Sequence, residues 1–176
     1  ANAVNTMAEA IAPELEKITG GTARAKIISN LAIHRTVKAE CVWSKKDLEE
    51  STKGLVKGEE VVQGIIEMYE FAASDPFRAC THNKGIMNGI DAVVIAAGND
   101  WRAIEAGAHA FAAFGRKQYS PLTKFSKTPY GDLKGEIELP MAVGLVGGAV
   151  KTHPIAKICV KILGVKTAAE LAEIIA

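Results

Sequence analysis

The sequence of 176 residues lacks the features that mark membrane and nucleic-acid-binding proteins. No apolar run reaches the roughly 18 residues that a membrane-spanning helix needs, and no basic segment followed by an apolar one stands at the N-terminus. The net charge of +1 argues against a strongly electrostatic partner such as DNA or an anionic membrane surface. We therefore expect a cytoplasmic protein with no membrane and no nucleic-acid partner.

Cysteine and histidine are also scarce, and their spacing excludes the common metal and redox motifs. The three cysteines include no CxxC pair, and the four histidines include no HExxH pattern. We expect no metal site and three reduced thiols, most of them buried. The residues concerned are Cys41, Cys80, Cys159, His34, His82, His109 and His153.

Apolar residues make up 48% of the chain, enough for a substantial core, and their periodicity predicts long helices with a few antiparallel strands. An amphipathic helix over residues 2–19 contains Pro13, which favours a kink. Alternating apolar and polar residues predict a strand that ends at Trp43, and residues 129–132 predict a hairpin turn. Further helices are predicted over residues 44–53, 59–73, 78–97, 99–114, 152–163 and from 167. The fold class is α/β or α+β.

Residues 78–100, with the sequence RACTHNKGIMNGIDAVVIAAGND, contain the most informative pattern. Helical spacing predicts one buried face, and it aligns a second set of residues on another face. Lys84 and Asn88 lie one turn apart on that second face, and a lysine in so apolar a segment needs a partner if it is buried. Gly98 ends the helix, and Asp100 begins the next one. The predicted buried face is Ile86, Ile90, Val93 and Ala97, and the second face is Lys84, Asn88, Asp91 and Ile95.

Each polar residue of this pattern also has a purely structural interpretation. Lys84 could extend along its stem to water, and Asn99 or Asp100 could cap the next helix. Spacing alone therefore does not assign a function.

The amino-acid sequence of the whole chain closely resembles those of the class II hydroxymethylglutaryl-CoA (HMG-CoA) reductases. The similar strings are ANAVNTM at the start, IISNL at 27–31, DPFR at 75–78, THNKGIMNGID at 81–91, GNDWRAIEAGAHA at 98–110 and PMAVGLVGGAVKTHP at 140–154. Several long strings in the same order make this resemblance specific. Ala1 and Asn2 match only the end of the family's DAMGAN motif, so we expect a fragment of a longer polypeptide.

The resemblance implies a large domain built around a central helix and a small ferredoxin-like domain that binds the nicotinamide cofactor. Residues 1–30 would be the C-terminal remnant of the small domain, and residues 31–176 would be part of the large, HMG-CoA-binding domain. The implied reaction reduces HMG-CoA to mevalonate and CoA in two hydride steps with NADPH or NADH, or runs in the reverse, degradative direction. Family members are dimers, so we expect a homodimer or a higher homo-oligomer.

Site residues follow from the resemblance position by position. Lys84 would stabilise the oxyanion and Asp100 would hydrogen-bond Lys84, so both are catalytic. Arg78 would bind the free carboxylate of the substrate, since a guanidinium can grip a carboxylate with two parallel hydrogen bonds. Asn88 would orient the substrate or the lysine, and Asn2 and Asn30 would lie near the nicotinamide.

Two family groups have no counterpart in the chain, namely an upstream glutamate and a downstream histidine that protonates the CoA thiolate. The fragment alone is therefore expected to be inactive. His82 and His109 are interpreted as structural. An alternative is a non-catalytic core that binds acyl-CoA or phosphate, or only self-associates. For that alternative the glycine-rich segment before Lys151 resembles a phosphate loop, although it lacks the glycine that the Walker pattern places before the lysine.

Overall fold

The computed structural model of the chain describes residues 2–147, 150 and 152–176. The chain divides into two compact units, Ala1–Asn30 and Leu31–Ala176. In the described residues, no helix combines the length and the apolar character required to cross a bilayer.

The first unit is helix α1 (Asn2–Thr19), followed by an extended tail. The helix continues through Pro13, the residue at which a kink is predicted. The tail folds back on α1, because the Asn5 side chain accepts a hydrogen bond from the Ile28 amide at 2.9 Å. The apolar face of α1 is half or more exposed, at Val4, Met7, Ile11, Leu15 and Ile18.

The second unit joins a three-stranded antiparallel sheet to a set of helices, which confirms the predicted mixture of helices and antiparallel strands. The sheet order is β1–β3–β2. The strands are β1 (Thr36–Trp43), β2 (Thr123–Lys127) and β3 (Leu133–Pro140), and the helices are α2 (Lys45–Ser51), α3 (Gly58–Ser74), α4 (Pro76–Ala96), α5 (Trp101–Ala113), α6 (Pro154–Leu163) and α7 (Ala168–Ile175).

The predicted hairpin joins β2 to β3. The Thr128 amide donates to the Asp132 carbonyl at 2.9 Å, and Gly131 adopts a φ of 87°, which favours glycine. In the middle of β3, a Cβ on Gly135 would lie 2.7 Å from the Trp43 ring and 2.9 Å from the Phe125 ring. Glycine here lets the two aromatic side chains cover the strand.

The core lies between α4, α5 and the sheet. Its buried side chains include Met87, Ile90 and Val94 from α4, Ile104, Ala108 and Ala112 from α5, Leu139 from β3, and Leu171 and Ile175 from α7. Ser44 caps α2, and Thr167 forms a reciprocal capping box with Glu170 at the start of α7. The prediction of three reduced, mostly buried thiols is confirmed in part. All three cysteines are free of disulfide bonds, but Cys41 and Cys80 are exposed rather than buried.

Candidate active site

Helix α4 begins at Pro76, two residues before the predicted start at residue 78. Asp75 accepts a hydrogen bond from the Phe77 amide at 3.0 Å, and Pro76 occupies the first turn, where it needs no amide partner. The buried apolar positions of the helix and its C-cap are Ala79, Met87, Ile90, Val94 and Ala97. The buried face is therefore rotated about the helix axis relative to the predicted one, since Ile86 and Val93 are only half-buried.

The opposite face of α4 is open and carries Lys84 and Asn88. Both side chains are exposed, one turn apart, as their spacing predicts. Nothing lies within 4 Å of a Cβ placed on the neighbouring Gly85 or Gly89. In the described part of the chain, no acidic side chain lies within ion-pair distance of the Lys84 ammonium. Lys84 is accessible from solvent, so the partner that a buried lysine would need is not required within one copy.

Asp100 is the N-cap residue of α5, and its carboxylate accepts a hydrogen bond from the Ala103 amide at 3.1 Å. The first-turn amides of a helix carry partial positive charge, so the carboxylate lies at the positive end of α5. Twelve residues separate Lys84 from Ala96 at the end of α4, so they lie about 18 Å apart along the helix axis. Within one copy, Asp100 and Lys84 are not brought together.

The turn between the two helices is held by Asn99, which the sequence suggested only as a cap. The Gly144 amide donates to Asn99 Oδ1 at 2.8 Å, and Asn99 Nδ2 donates to the Gly144 carbonyl at 3.1 Å. Gly98 in this turn has a φ of 68°, and a Cβ on it would lie 2.9 Å from the Ala156 Cβ. Backbone conformation and close packing both require glycine at this position.

Arg78 lies near the start of α4 on a different face from Lys84. Its Nε atom is buried and has no hydrogen-bond partner among the described residues. One turn later, His82 Nε2 lies 2.7 Å from Thr123 Oγ1, which fits the structural role predicted for this histidine. Burial, and then the Arg78 charge, lowers the pKa of His82. An unsatisfied buried donor is costly, so Arg78 is suited to receive an acceptor from outside the described residues.

Asn83 is the buried polar residue of α4, and the sequence analysis missed it. Its side chain is fully buried, with Nδ2 donating to the Ser120 carbonyl at 3.0 Å and Oδ1 accepting from the Leu122 amide at 2.9 Å. These bonds fix the approach to β2. The partners lie 37 and 39 residues away along the chain, so no local pattern reveals them.

A second missed feature is a polar cluster between α4 and α5. Burial, and then the neighbouring Glu105 carboxylate, raises the pKa of Asp91 to about 6. Asp91 Oδ1 is inaccessible to water and has no partner in the described residues. On α5, His109 Nδ1 lies 2.7 Å from the Tyr119 hydroxyl, as expected of a packing histidine. Asp91 therefore does not share the solvent exposure of Lys84 and Asn88.

The remaining predicted positions are less informative. Asn30 is exposed in a bend at the end of the first unit. Asn2 is the first residue of α1, but its side chain lies outside the described residues, as does Lys151 of the glycine-rich segment.

Comparison with known proteins gives consistent matches over this arrangement. The family model described as hydroxymethylglutaryl-coenzyme A reductase matches residues 1–176. A 3-hydroxy-3-methylglutaryl-coenzyme A reductase from Archaeoglobus fulgidus is 57% identical over 176 residues, which are 100% of this chain and 38% of that protein. A probable reductase of the same name from Borreliella burgdorferi is 38% identical over 97% of this chain and 38% of its own length.

Solved structures agree with the sequence matches. The class II 3-hydroxy-3-methylglutaryl-CoA reductase from Streptococcus pneumoniae, bound to NADPH in open conformations, superposes with a TM-score of 0.87 at 44% identity. That match covers 99% of this chain and 47% of the solved chain. The chain spans about two fifths of the length of the curated relatives it matches. It belongs to the hydroxymethylglutaryl-coenzyme A reductase family.

Proposed function

We propose that this chain supplies part of the active site of an HMG-CoA reductase, which reduces HMG-CoA to mevalonate and CoA with NADPH or NADH. The observation that carries the proposal is the open face of α4, where Lys84 and Asn88 are exposed one turn apart. The 57% identity to the archaeal reductase supports transferring that activity. The same groups would serve the reverse, degradative direction.

Lys84 stabilises the oxygen that becomes negative when a hydride attacks the thioester carbonyl. The reduced nicotinamide, when bound, supplies one hydride at each of the two steps. An ammonium aimed at the developing charge lowers the barrier more than most other catalytic devices. Lys84 is suited to this because it is exposed and unpaired in the described part of the chain. Asn88, on the same face, orients the substrate or the lysine.

Asp100 acts as the partner of Lys84, and we infer that the two residues come from different copies of the chain. The roughly 18 Å of helix between Lys84 and Ala96 exceeds the reach of both side chains. A symmetric dimer that pairs the open faces of two α4 helices would supply the missing carboxylate to each lysine. The lack of packing against Gly85 and Gly89 is consistent with such a contact. The homo-oligomer is thus part of the proposed site.

Arg78 binds the free carboxylate of the HMG group. Its buried, unpartnered Nε is suited to an anionic acceptor, and a guanidinium can hold a carboxylate with two hydrogen bonds. Asn2 and Asn30 contact the nicotinamide. The division of the chain at Asn30 supports assigning residues 1–30 to the nicotinamide-binding domain and residues 31–176 to the large domain. The NADPH-bound streptococcal structure supports NADPH as the first cofactor to test.

A chimera tests the proposal. Residues 1–176 replace the matching segment of the Archaeoglobus fulgidus reductase, and nicotinamide oxidation is followed by absorbance with HMG-CoA and either NADPH or NADH. The chimera should turn over, and Lys84→Ala should lower kcat by a factor of about 100 or more. Lys46→Ala is the matched control, because Lys46 is an exposed lysine on α2. A folded, dimeric chimera without turnover, or one in which Lys84→Ala has no effect, would refute the proposal.

A further inference from the structure

Asn99 makes three hydrogen bonds in the turn that leads from α4 to Asp100. Its Nδ2 donates to the Ala97 carbonyl at 3.2 Å and to the Gly144 carbonyl at 3.1 Å, and its Oδ1 accepts from the Gly144 amide at 2.8 Å. Two of these bonds pair the side-chain amide with both polar groups of one backbone residue. Asn99 thus ties the start of α5 to a segment 45 residues away.

This pairing requires a primary amide. An aspartate at position 99 could accept from the Gly144 amide, but its second oxygen would face two carbonyl oxygens with no proton to donate. An alanine would leave the Gly144 amide and carbonyl without this partner, and unsatisfied buried backbone groups destabilise a protein. Neither substitution therefore reproduces the paired contact with Gly144.

The segment that Asn99 holds follows β3 and has few other bonds. Met141 and Val143 are buried, and residues 141–144 belong to no strand. The backbone bonds described for it run to Arg35, which accepts from the Met141 amide at 3.0 Å and donates to the Val143 carbonyl at 2.6 Å. Arg35 therefore holds Met141 and Val143, and Asn99 holds the next residue, Gly144.

We propose that Asn99 is a positioning residue for Asp100, which it serves by fixing the turn at residues 97–100 against the segment that contains Gly144. The inference rests on the proposed function, in which Asp100 pairs with Lys84. The direction of the Asp100 carboxylate depends on the backbone conformation at residue 100, and one of its oxygens accepts a hydrogen bond from the Ala103 amide. Loss of the Asn99 contacts lets the turn shift, and a small misplacement of a catalytic group can cost a large factor in rate.

A double-mutant cycle in the chimera tests this role. Asn99→Ala should lower kcat about 10-fold to 100-fold with little change in KM, and Asn99→Asp, which keeps the shape but not the amide protons, should lower kcat as well. In an Asp100→Asn background, Asn99→Ala should lower kcat no further, because the group it positions is already lost. An equal loss in both backgrounds would indicate a merely structural role and overturn the inference. Gln63→Ala, which alters an exposed amide on α3, is the control and should leave kcat unchanged.

A second measurement on the 176-residue chain needs no activity. Hydrogen exchange of the Gly144 amide and the NMR chemical shift of the Ala103 amide, which donates to the Asp100 carboxylate, are recorded for the parent, Asn99→Ala and Gln63→Ala. Asn99→Ala should speed Gly144 exchange and move the Ala103 amide signal, whereas Gln63→Ala should change neither. An unchanged Ala103 signal overturns the inference even if the chimera is active. An inactive chimera with the expected spectral changes instead points to failure of the proposed function.

Discussion

Replacing Asp91 with asparagine should make the chain more stable at neutral pH but not at acid pH. Burial and the nearby Glu105 carboxylate raise the pKa of Asp91 from 3.8 to about 6 in the folded state. Folding therefore favours the protonated form. The loss of folding stability caused by the Asp91 carboxyl is small below about pH 4, where the side chain is protonated in both the folded and the unfolded state. It grows as the pH rises to about 6 and is constant above that.

The magnitude follows from the size of the pKa difference. About two pKa units correspond to about 3 kcal/mol, and we lower this to about 2 kcal/mol because Asp91 is only half-buried and solvent screens its charge. Asparagine has the same shape without the charge, and its amide can donate to Glu105. The free energy of unfolding of Asp91→Asn should therefore exceed that of the parent by about 2 kcal/mol at pH 8, with little difference at pH 4.

Urea titrations of the 176-residue chain between pH 4 and pH 8 measure this difference. Asp47→Asn is the matched control, because Asp47 is exposed in the first turn of α2 and should show no such pH-dependent gain. A stability difference for Asp91→Asn that does not vary with pH would show that ionisation of Asp91 costs nothing in the fold. A loss of stability at pH 8 would show that the charged carboxylate has a favourable partner.

Two further substitutions test the packing around α4 and the sheet. Asn83→Ala should lower the free energy of unfolding by about 2–4 kcal/mol in urea titrations, because it leaves the Ser120 carbonyl and the Leu122 amide without their partner. A loss below about 0.5 kcal/mol would mean that water replaces the side chain. Gly135→Ala should lower the melting temperature, since its Cβ would lie 2.7 Å from the Trp43 ring. Gly64→Ala, at a helical site with nothing within 4 Å, is the control and should not lower it.

Local signals in the sequence were sufficient to predict most of the elements. Gly98 ends α4, and the turn at residues 129–132 joins β2 to β3, because each depends on residues close in the chain. The buried face of α4 was predicted with an error of about one position. Apolar residues occur on both sides of the true face, and packing against α5 selects between them.

The candidate site was only partly predictable for a related reason. The i, i+4 spacing is sufficient to align Lys84 with Asn88. The contacts of Asn83 and Asn99 depend on backbone groups that lie 37 to 45 residues away, and no periodicity reports such pairs. Asp91 also belongs to the second predicted face by spacing, yet α5 covers it and changes its pKa.

The separation of Lys84 from Asp100 leads to a complementation experiment. If each site takes Lys84 from one copy and Asp100 from the other, a chimera dimer formed from one Lys84→Ala and one Asp100→Ala subunit contains one site with both residues intact and one with neither. Random mixing makes half of the dimers mixed, so activity should return to about a quarter of the parent rate, although each variant alone is nearly inactive.

The distance between Lys84 and Asp100 makes no prediction for a mixture of either variant with Arg78→Ala. The baseline is therefore the rate of each variant measured as a homodimer. If both residues of a site came from the same copy, every site in the mixture would lack one of them, and no activity would return. Recovery of activity after the two variants exchange subunits would therefore assign Lys84 and Asp100 to different copies. This fits the structure, because a continuous helix of about 18 Å keeps the two residues apart within one copy.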